Sequence, residues 1–498
     1  MRKTTTYRIL LALALALILA GQLLLDGGAA PPAAQTPSEP TDPLDLAAEV
    51  GLNQAWYIAQ GYADETVDLP PIAPAHFPSP TPPAQVQLSG DFEHQVFLPL
   101  IQDMKMVEAR ALWVTRWDYS SADDVKTLVA NAAGAGFNII LFQVRGNADA
   151  FYTPGLEPWA ARLSESGTLG EHPGWDPLQT AADAARAHGV ELHAYINVYP
   201  VWMRSEGDDP DKMAPLDSAQ PQHLFWTLSH KYGTWNWRIA DNAGDPMSLY
   251  GRGYLWPTPA LDDIDDRVVG VTADLVTRYD IDGIHLDLVR YPGRDYSYDV
   301  FTNDALAASG LRRDDWQRQR VTELVSRVYS QVILPRPGMR LSAAVWPVYI
   351  NHWGLKDSQD LPFTQGYSDF YQDSQGWMKG GVIDAIMPMI YPADVLASPD
   401  RFTTEQFALL TADFLNNDGD RHVFPGISAQ YDNFDQIAQR IAVARDLGAP
   451  GHAIFSAGLV TGNYTCGERT PCHDPYWDDF AAGPYARAAR VPPMSWRP

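Results

Sequence analysis

From about residue 108 onwards, short apolar runs alternate with longer segments whose apolar residues recur at helical spacing. The short runs predict buried strands, and the intervening segments predict amphipathic helices. The predicted strands are Ala109–Trp117, Asn138–Arg145, Glu191–Tyr199, Gly283–Arg290, Arg340–Pro347, Ala385–Tyr391, His422–Ala429 and His452–Ala457. The predicted helices are Ala122–Ala135, Pro177–His188, Asp265–Tyr279, Asp314–Ile333, Thr403–Asn416, Asn433–Leu447 and Tyr476–Arg490, with a shorter one near Asp369–Lys379.

The order of these elements predicts the fold class. Eight strands that alternate with helices predict an α/β fold, a closed parallel (β/α)8 TIM barrel. An open doubly wound sheet is the alternative, and it is disfavoured because no predicted strand ends in a glycine-rich phosphate loop. The tryptophan-rich segment Val201–Pro257 follows the third strand and breaks the alternation. We expect this long insertion to overhang the mouth of the barrel, where the loops after the strands meet.

The N-terminal region has a different pattern. Arg2 and Lys3 precede an apolar run from Ile9 to Leu25, which predicts an export segment within residues 1–30. This segment is either a cleaved signal peptide or a retained membrane anchor that tethers the protein. Residues 31–105 are rich in Pro, Ala and Thr and predict an extended linker, followed by the barrel over residues 106–498. We therefore expect an extracytoplasmic location, secreted or anchored at the cell surface.

Composition narrows the range of partners. The chain of 498 residues is 46% hydrophobic, enough for a large core, and its net charge of -25 disfavours nucleic-acid binding. Aromatic residues make up 11%, and their flat faces suit the apolar side of sugar rings. Cys466 and Cys472 do not have zinc-site spacing. In an exported chain they are expected to form a disulfide, with two free thiols as the alternative. No metal-ligand set or cofactor motif is present in the sequence.

Polar and aromatic side chains lie at the ends of several predicted strands. A structural strand commonly ends in small turn-forming residues, so this repeated pattern predicts a concave polar site with aromatic walls. The residues expected to bind substrate there are Arg116, Gln143, Arg145, Asn197, Tyr199, His285, Arg290 and Tyr391. Ion pairing inside the barrel is the alternative role for Arg145, Arg290 and Asn197. A hydrogen-bonded scaffold role is the alternative for His285.

Asp287 is the most informative of these strand-end residues. It follows an apolar stretch of the fourth strand, where a carboxylate is costly unless it is paired or lies in a cleft. Its functional interpretation is a nucleophile, a base or a charge-stabilising group. The structural alternative is a buried salt bridge to Arg290 or Arg145. Asp282, just before the strand, is expected to have a capping or orienting role.

The fourth-strand segment Asp282–Pro292 resembles the signature of the bacterial glycosyl hydrolase-like 10 family. The resemblance extends over about residues 106–460 and includes the ends of the first, second, third and sixth strands. It implies a barrel glycosidase, and members of the family include lipoproteins that cut the glycan strands of denuded peptidoglycan. The sequence departs from them in two ways. Gln22 stands where the lipid-bearing Cys would be, and the insertion does not align closely.

The leading hypothesis is an exported glycoside hydrolase that acts on a cell-envelope polysaccharide, most simply peptidoglycan, through two carboxylates. The fifth predicted strand ends in Trp346-Pro347 without a Glu, so the second carboxylate is sought in the loop behind it. Asp373 is the predicted partner of Asp287, because its segment matches the family. A helix cap or a surface salt bridge is the alternative role for Asp373. The other candidates are Asp360, Asp369 and, in reserve, Asp394.

A second hypothesis is a catalytically inactive protein that binds carbohydrate at the cell surface. Such a protein would keep the aromatic cleft and lose turnover. A purely structural envelope protein is disfavoured, because it leaves the polar strand ends unexplained.

Overall fold

The structure is a computed structural model. It describes residues 105–204, 213–251, 253–356, 360–391, 402–431, 433–464 and 471–497. The predicted export segment lies outside these residues, as does the linker apart from its last residue. Within the described ranges, none of the helices has the length and apolar character needed to cross a membrane.

The core of the fold is a parallel sheet. Its strands are β1 (Ala109–Val114), β2 (Ile139–Arg145), β3 (Glu191–Asn197), β4 (Gly283–Asp287), β5 (Arg340–Val345), β6 (Ala385–Pro388), β7 (His422–Val423 and Gly426–Ser428) and β8 (Gly451–Phe455). Each strand pairs in parallel with the next one in the chain. The first piece of β7 pairs with β6, the second pairs with β8, and β8 pairs with β1. The sheet therefore closes on itself, which confirms the barrel.

Helices cover the outside of this sheet. The main ones are α1 (Ala122–Gly134), α2 (Pro177–His188), α3 (Asp262–Arg278), α4 (Arg313–Val328), α5 (Ser374–Lys379), α6 (Thr404–Leu415), α7 (Phe434–Asp446) and α8 (Trp477–Ala482). The other helical segments of the described residues are Ala161–Leu163, Leu224–Tyr232, Val300–Ser309, Tyr329–Ile333, Gly366–Asp369 and Ala457–Val460. Local chemistry sets several helix starts: Ser121 and Thr403 form capping boxes, and Asp176 caps α2.

Burial on both faces explains why the strand sequences are continuously apolar. Every residue of β1, β2 and β4 is buried, because side chains fill the barrel inside and helices cover it outside. Gly283 shows how tight the packing is. A Cβ at this position would lie 2.8 Å from both the Arg340 carbonyl oxygen and the His193 ring, so only glycine fits. Asp282 accepts the Leu192 N–H at 2.8 Å, which is the orienting role expected for it.

One predicted helix is wrong in its extent. The segment Tyr476–Arg490 was expected to be helical throughout, but α8 ends at Ala482. The backbone leaves helical geometry at Gly483, and the following Pro484 cannot continue the helical hydrogen bonds. Beyond this break, Ala489–Arg490 forms a short parallel pair with Met106–Val107.

The insertion after β3 has structure of its own. It contains an antiparallel pair formed by Trp202–Met203 and Tyr254–Leu255, together with the helix Leu224–Tyr232. Trp237 is fully buried against this helix, and its Nε1 donates to the Ser229 hydroxyl at 2.9 Å.

Near the other end of the chain, Cys472 is disulfide-bonded. Its predicted partner, Cys466, lies outside the described residues.

Candidate active site

Asp287 lies at the carboxyl end of β4 with 2% of its surface exposed. Its Oδ2 accepts a hydrogen bond from the Tyr195 hydroxyl at 2.7 Å, and its Oδ1 accepts the Leu288 N–H at 2.6 Å. Leu288 has a φ of 50°, so the chain turns sharply just after the carboxylate. These contacts fix the orientation of the carboxyl group inside the ring of strands.

The surroundings of Asp287 shift its protonation. Burial raises the pKa of its carboxyl group, while the Tyr195 hydrogen bond, the Leu288 N–H and the charge of Arg290 counteract part of that rise. Burial and the neighbouring Asp287 hold the pKa of Tyr195 well above its usual value, so Tyr195 keeps its proton and acts as the donor. A raised carboxyl pKa inside a barrel mouth is typical of a functional group.

A polar network joins three strands to the insertion. The Gln143 Nε2 donates to the Asn197 Oδ1 at 3.3 Å, and the Gln143 Oε1 accepts the backbone N–H of Arg116 at 2.9 Å. The Tyr254 hydroxyl accepts from the Asn197 Nδ2 at 3.4 Å and from the Arg116 Nη2 at 3.3 Å. The charges of Arg116 and Asp287 both act on the buried Tyr254, which places the network beside the carboxylate. Arg116, Gln143 and Asn197 are thus brought together, as predicted.

Aromatic rings from three strand ends pack together near Asp287. Tyr391 stacks on Phe455 with ring centroids 5.4 Å apart, and Trp113 meets the Tyr391 ring edge-on at 6.4 Å. Burial, with a contribution from the charge of Asp287, raises the pKa of Tyr391 well above its usual value. Tyr391 therefore lies near Asp287, and its role in binding substrate stays a prediction.

His285 lies on the same strand as Asp287 and supports the site. Its Nε2 accepts from the Trp113 Nε1–H at 3.0 Å, and its Nδ1 lies 2.9 Å from the Ser342 hydroxyl oxygen. Burial lowers its pKa well below the usual value, so the ring is neutral. Because the indole N–H only donates, the histidine proton must be on Nδ1. This arrangement gives His285 a scaffold role, the structural alternative to substrate binding.

Arg290 follows Asp287 and packs against two adjacent aromatic rings. Its guanidinium carbon lies 4.7 Å from the centroid of Phe370 and 5.2 Å from that of Trp346. It is near enough that its charge lowers the pKa of Asp287. Arg290 is therefore placed to stabilise negative charge at the carboxylate.

Two of the predicted binding residues, Arg145 and Tyr199, are buried in the packing of the barrel. The Arg145 Nε and Nη2 each donate to the Glu157 carboxylate at 2.8 Å, and its Nη1 contacts the backbone carbonyls of Asn197 and Val198. All three nitrogens are engaged in a pair that is 0% exposed on both sides, so Arg145 is structural. Tyr199 is also buried, and among the charged groups Asp265 of α3 acts most strongly on its pKa; its role in binding stays a prediction.

The structure gives Asp373 the capping role that the sequence left open. Its Oδ1 accepts the Gly376 N–H at 3.0 Å at the start of α5 and the Tyr349 hydroxyl at 2.6 Å. The preceding Gln372 reaches the strand ends instead, where its Oε1 accepts the Trp346 N–H at 2.7 Å. A catalytic role for Asp373 stays a prediction.

The remaining acidic candidates are distributed around the same loop. Asp369 pairs with Arg294 at 2.8 Å, and Asp360 pairs with Lys356 at 3.0 Å. Asp394 lies outside the described residues.

Two residues of the site, Tyr195 and Tyr254, were not named from the sequence, nor was Asp118, a carboxyl group with a raised pKa after β1. Tyr195 lies two positions before Asn197, so the alternation of a strand places both on one face and could have identified it. Tyr254 comes from the insertion, which has no periodicity to place it. Asp118 follows β1, accepts the Thr115 N–H at 2.7 Å and is also hydrogen-bonded by the backbone of Gly458 after β8. Burial raises the pKa of Asp118 to about 6.

This geometry defines a class of protein: a (β/α)8 barrel with a buried carboxylate among amide, arginine and aromatic side chains at the carboxyl ends of its strands. The profile of the family described as Glycosyl hydrolase-like 10 matches residues 108–415, more than half of the chain. The chain belongs to this family.

Relatives were found among curated proteins and solved structures. The chain is 26% identical over 259 residues to Glycosyl hydrolase DigH of Escherichia coli K12, covering 51% of this chain and 55% of DigH. It is 26% identical over 307 residues to Glycosyl hydrolase YngK of Bacillus subtilis 168, covering 57% of this chain and 54% of YngK. The chain thus spans about half the length of these relatives. The catalytic domain of β-amylase from Paenibacillus polymyxa matches with a TM-score of 0.48 at 12% identity, covering 76% of this chain and 97% of that one.

Proposed function

We propose that the protein is a glycoside hydrolase in which Asp287 acts on the sugar at the scissile bond. The observation that carries this proposal is the buried Asp287 carboxylate at the end of β4, held by Tyr195 and flanked by Arg290. Glycosidases pass through a transition state with positive charge on the sugar ring. A fixed carboxylate stabilises that charge or attacks the anomeric carbon as a nucleophile.

The neighbours of Asp287 have complementary tasks in this proposal. Arg116, Gln143 and Asn197 offer hydrogen bonds that suit sugar hydroxyls, and Tyr391 offers an apolar face for the ring. The Tyr195 hydroxyl holds the carboxylate in one orientation, which favours the reaction by positioning.

Protonation of the leaving oxygen requires a second carboxyl group. Asp373 is the acid predicted from the sequence, and Asp118 is a further candidate because burial raises its pKa to about 6. A general acid works best when its pKa lies near the working pH, and a raised carboxyl pKa meets that requirement.

For the substrate, we propose a cell-envelope polysaccharide, most simply the glycan strands of peptidoglycan without peptides, reached after export. The support is the family membership together with the basic-then-apolar N-terminus, which predicts that the barrel lies outside the cytoplasmic membrane.

The test is release of reducing sugars from denuded peptidoglycan strands and from neutral polysaccharides, with the wild type and Asp287→Asn side by side. We expect release by the wild type and nearly none by the variant. Release from no glycan, or equal release by both proteins, would reject the proposal.

The same assay identifies the acid. Glycosides with an activated aryl leaving group need little protonation, so loss of the acid slows their hydrolysis far less than that of the natural glycan. We expect this selective rescue for either Asp373→Asn or Asp118→Asn, and the rescued variant marks the acid.

A second candidate function is glycan binding without turnover. It is favoured by the use of the Asp373 carboxylate as a helix cap. Binding of denuded strands with no sugar release would support it.

A further inference from the structure

Arg238 lies in the insertion and is 0% exposed. Its Nη1 donates to the Met247 carbonyl oxygen at 2.8 Å. Its Nε and Nη2 are buried and have no hydrogen-bond partner among the described residues. Burial lowers the pKa of this guanidinium to about 10. A buried guanidinium with two unpaired donors is costly, and such a group calls for a specific explanation.

The two unpaired nitrogens are the pair that recognises carboxylates. The Nε–H and one Nη2–H of an arginine point in parallel and match the two oxygens of a carboxylate. This protein uses that same edge elsewhere. Arg145 presents its Nε and Nη2 to Glu157, and Arg445 presents the same two atoms to Glu108. In Arg238 the corresponding edge meets no carboxylate in the described part of the chain.

An exposed indole covers the same arginine. The guanidinium carbon of Arg238 lies 3.8 Å from the ring centroid of Trp235. Trp235 itself is 57% exposed. Trp235 is a large apolar surface that faces solvent, and flat indole faces suit the apolar side of sugar rings. The guanidinium of Arg238 therefore lies against an aromatic surface at which the insertion meets solvent.

Arg238 and Trp235 are connected to the candidate active site through a backbone bridge and the hydrogen bonds of neighbouring residues. Arg238 pairs with Pro257 across an antiparallel bridge. The adjacent Trp256 donates its Nε1–H to the Arg290 carbonyl oxygen at 3.2 Å. Tyr254, two residues earlier, accepts from Arg116 in the barrel mouth. A glycan chain in the barrel mouth is therefore close to the segment that carries Arg238.

We infer that Arg238 and Trp235 form a subsite for a carboxylate-bearing sugar unit, with the carboxylate on the Nε and Nη2 edge of Arg238 and the ring on Trp235. The ligand class rests on the proposed function, because it assumes a glycan. The carboxylate could belong to a lactyl ether or to a uronic acid, since both present the same two oxygens. Binding would supply the counter-ion that the buried guanidinium lacks among the described residues.

The experiment is calorimetric titration of the full chain carrying Asp287→Asn, so that ligands are not cleaved. The probes are the disaccharide of N-acetylglucosamine and N-acetylmuramic acid, its carboxamide derivative, and a disaccharide containing glucuronic acid. We expect the acid to bind at least about tenfold more tightly than the carboxamide, since charge-assisted bidentate pairs are the strong ones. The tighter of the two acids identifies the source of the carboxylate.

Variants locate the effect within the insertion. Arg238→Met should abolish the preference for the acid, and Arg238→Lys, which keeps the charge without the fork, should reduce it. The matched control is Lys231→Met, because Lys231 lies in the same insertion and forms a solvent-accessible ion pair with Asp263 of α3. This change removes one charge and should leave the preference for the acid intact. A thermal melt of each variant verifies that it is folded.

Equal affinities for the acid and the carboxamide, or a preference that survives in Arg238→Met, would overturn the inference. Its failure is distinguishable from failure of the proposed function. Sugar release without a preference for the acid rejects the subsite alone. A preference for the acid in a protein that releases no sugar rejects the hydrolase and keeps the subsite.

Discussion

The barrel and the insertion treat buried charge differently. In β2 of the barrel, Arg145 has all its nitrogens satisfied by Glu157 and by two backbone carbonyls. In the insertion, Arg238 is as deeply buried and makes one hydrogen bond within the described residues, to Met247. At Arg145 the barrel neutralises a buried charge with its own carboxylate, which stabilises the scaffold. The insertion leaves donors unpaired, which suits recognition of a ligand more than stability.

The same contrast exists between two buried carboxylates of the barrel. Burial alone would raise the pKa of Glu157, but the charge and hydrogen bonds of Arg145 lower it overall. Burial raises the pKa of Asp287, and Tyr195, Leu288 and Arg290 only partly offset it. A bidentate arginine therefore identifies the structural carboxylate. A hydroxyl, an N–H and a neighbouring charge leave the pKa of the other carboxyl group raised, which is typical of functional groups.

The largest expected effect is on turnover. Asp287→Asn should lower kcat on a denuded glycan by about three orders of magnitude or more, because loss of a nucleophile or charge-stabilising group removes transition-state stabilisation. The amide oxygen can still accept the Leu288 N–H while its NH2 group donates to the Tyr195 hydroxyl oxygen, so the melting temperature should change little. The measurement is kcat with a parallel thermal melt. A variant that loses activity only in proportion to lost stability would contradict a chemical role.

The next effect is on stability and tests the structural carboxylate. Glu157→Gln leaves Arg145 buried without its counter-ion, which should cost about 3 kcal/mol of the free energy of unfolding. Urea denaturation measures this cost. Arg238→Met is the matched comparison, because it removes a buried guanidinium that has no counter-ion among the described residues and should not destabilise the protein. If both changes are equally destabilising, the contrast between barrel and insertion is wrong.

The sequence predicted the strands of the barrel well, because strands covered on both faces are continuous apolar runs. Strand ends also identified Asp287, Asn197 and Tyr391, since the carboxyl ends of parallel strands meet at one mouth. Arg145 was misassigned for a geometric reason. Alternation places it on the same face as Gln143, but the pairing of β2 with β3 shifts its register between these two residues.

The surroundings of Tyr199, Tyr254 and Asp373 could not be settled from the sequence, also for physical reasons. Tyr199 lies two residues beyond the end of β3, where the alternation of a strand no longer applies. Tyr254 reaches the mouth from an insertion whose path depends on long-range packing. The capping role of Asp373 depends on where α5 begins, and helix boundaries are the least predictable part of a sequence analysis.

A moderate effect on pH dependence is expected for Tyr195→Phe. The Tyr195 hydroxyl stabilises the ionised form of Asp287, so its removal should raise the pKa of that carboxyl further. If the reaction needs ionised Asp287, activity is lost as the pH falls through this pKa. The acidic limb of the kcat profile should therefore move to higher pH, and kcat on the plateau should fall about tenfold through lost positioning.

The readout separates two roles for Tyr195. A residue that only packs the core would lower the melting temperature and leave the acidic limb in place. An unchanged limb in a stable Tyr195→Phe protein would mean that this hydroxyl does not act on Asp287.

The smallest expected effect tests the link between the two regions. Tyr254 carries an insertion hydroxyl into the barrel mouth, where it accepts from Arg116 and Asn197. Tyr254→Phe keeps the ring and removes this acceptor. The loss of neutral or singly charged hydrogen bonds typically costs about 1 kcal/mol, so we expect an increase in KM of about fivefold with little change in kcat.

Tyr250→Phe is the control, because Tyr250 lies in the same insertion and is 48% exposed. An effect confined to Tyr254→Phe means that the insertion supplies part of the substrate site. Equal, negligible effects of the two changes would mean that the insertion overhangs the mouth without taking part in binding there, and recognition by the insertion would then rest on Arg238 and Trp235 alone.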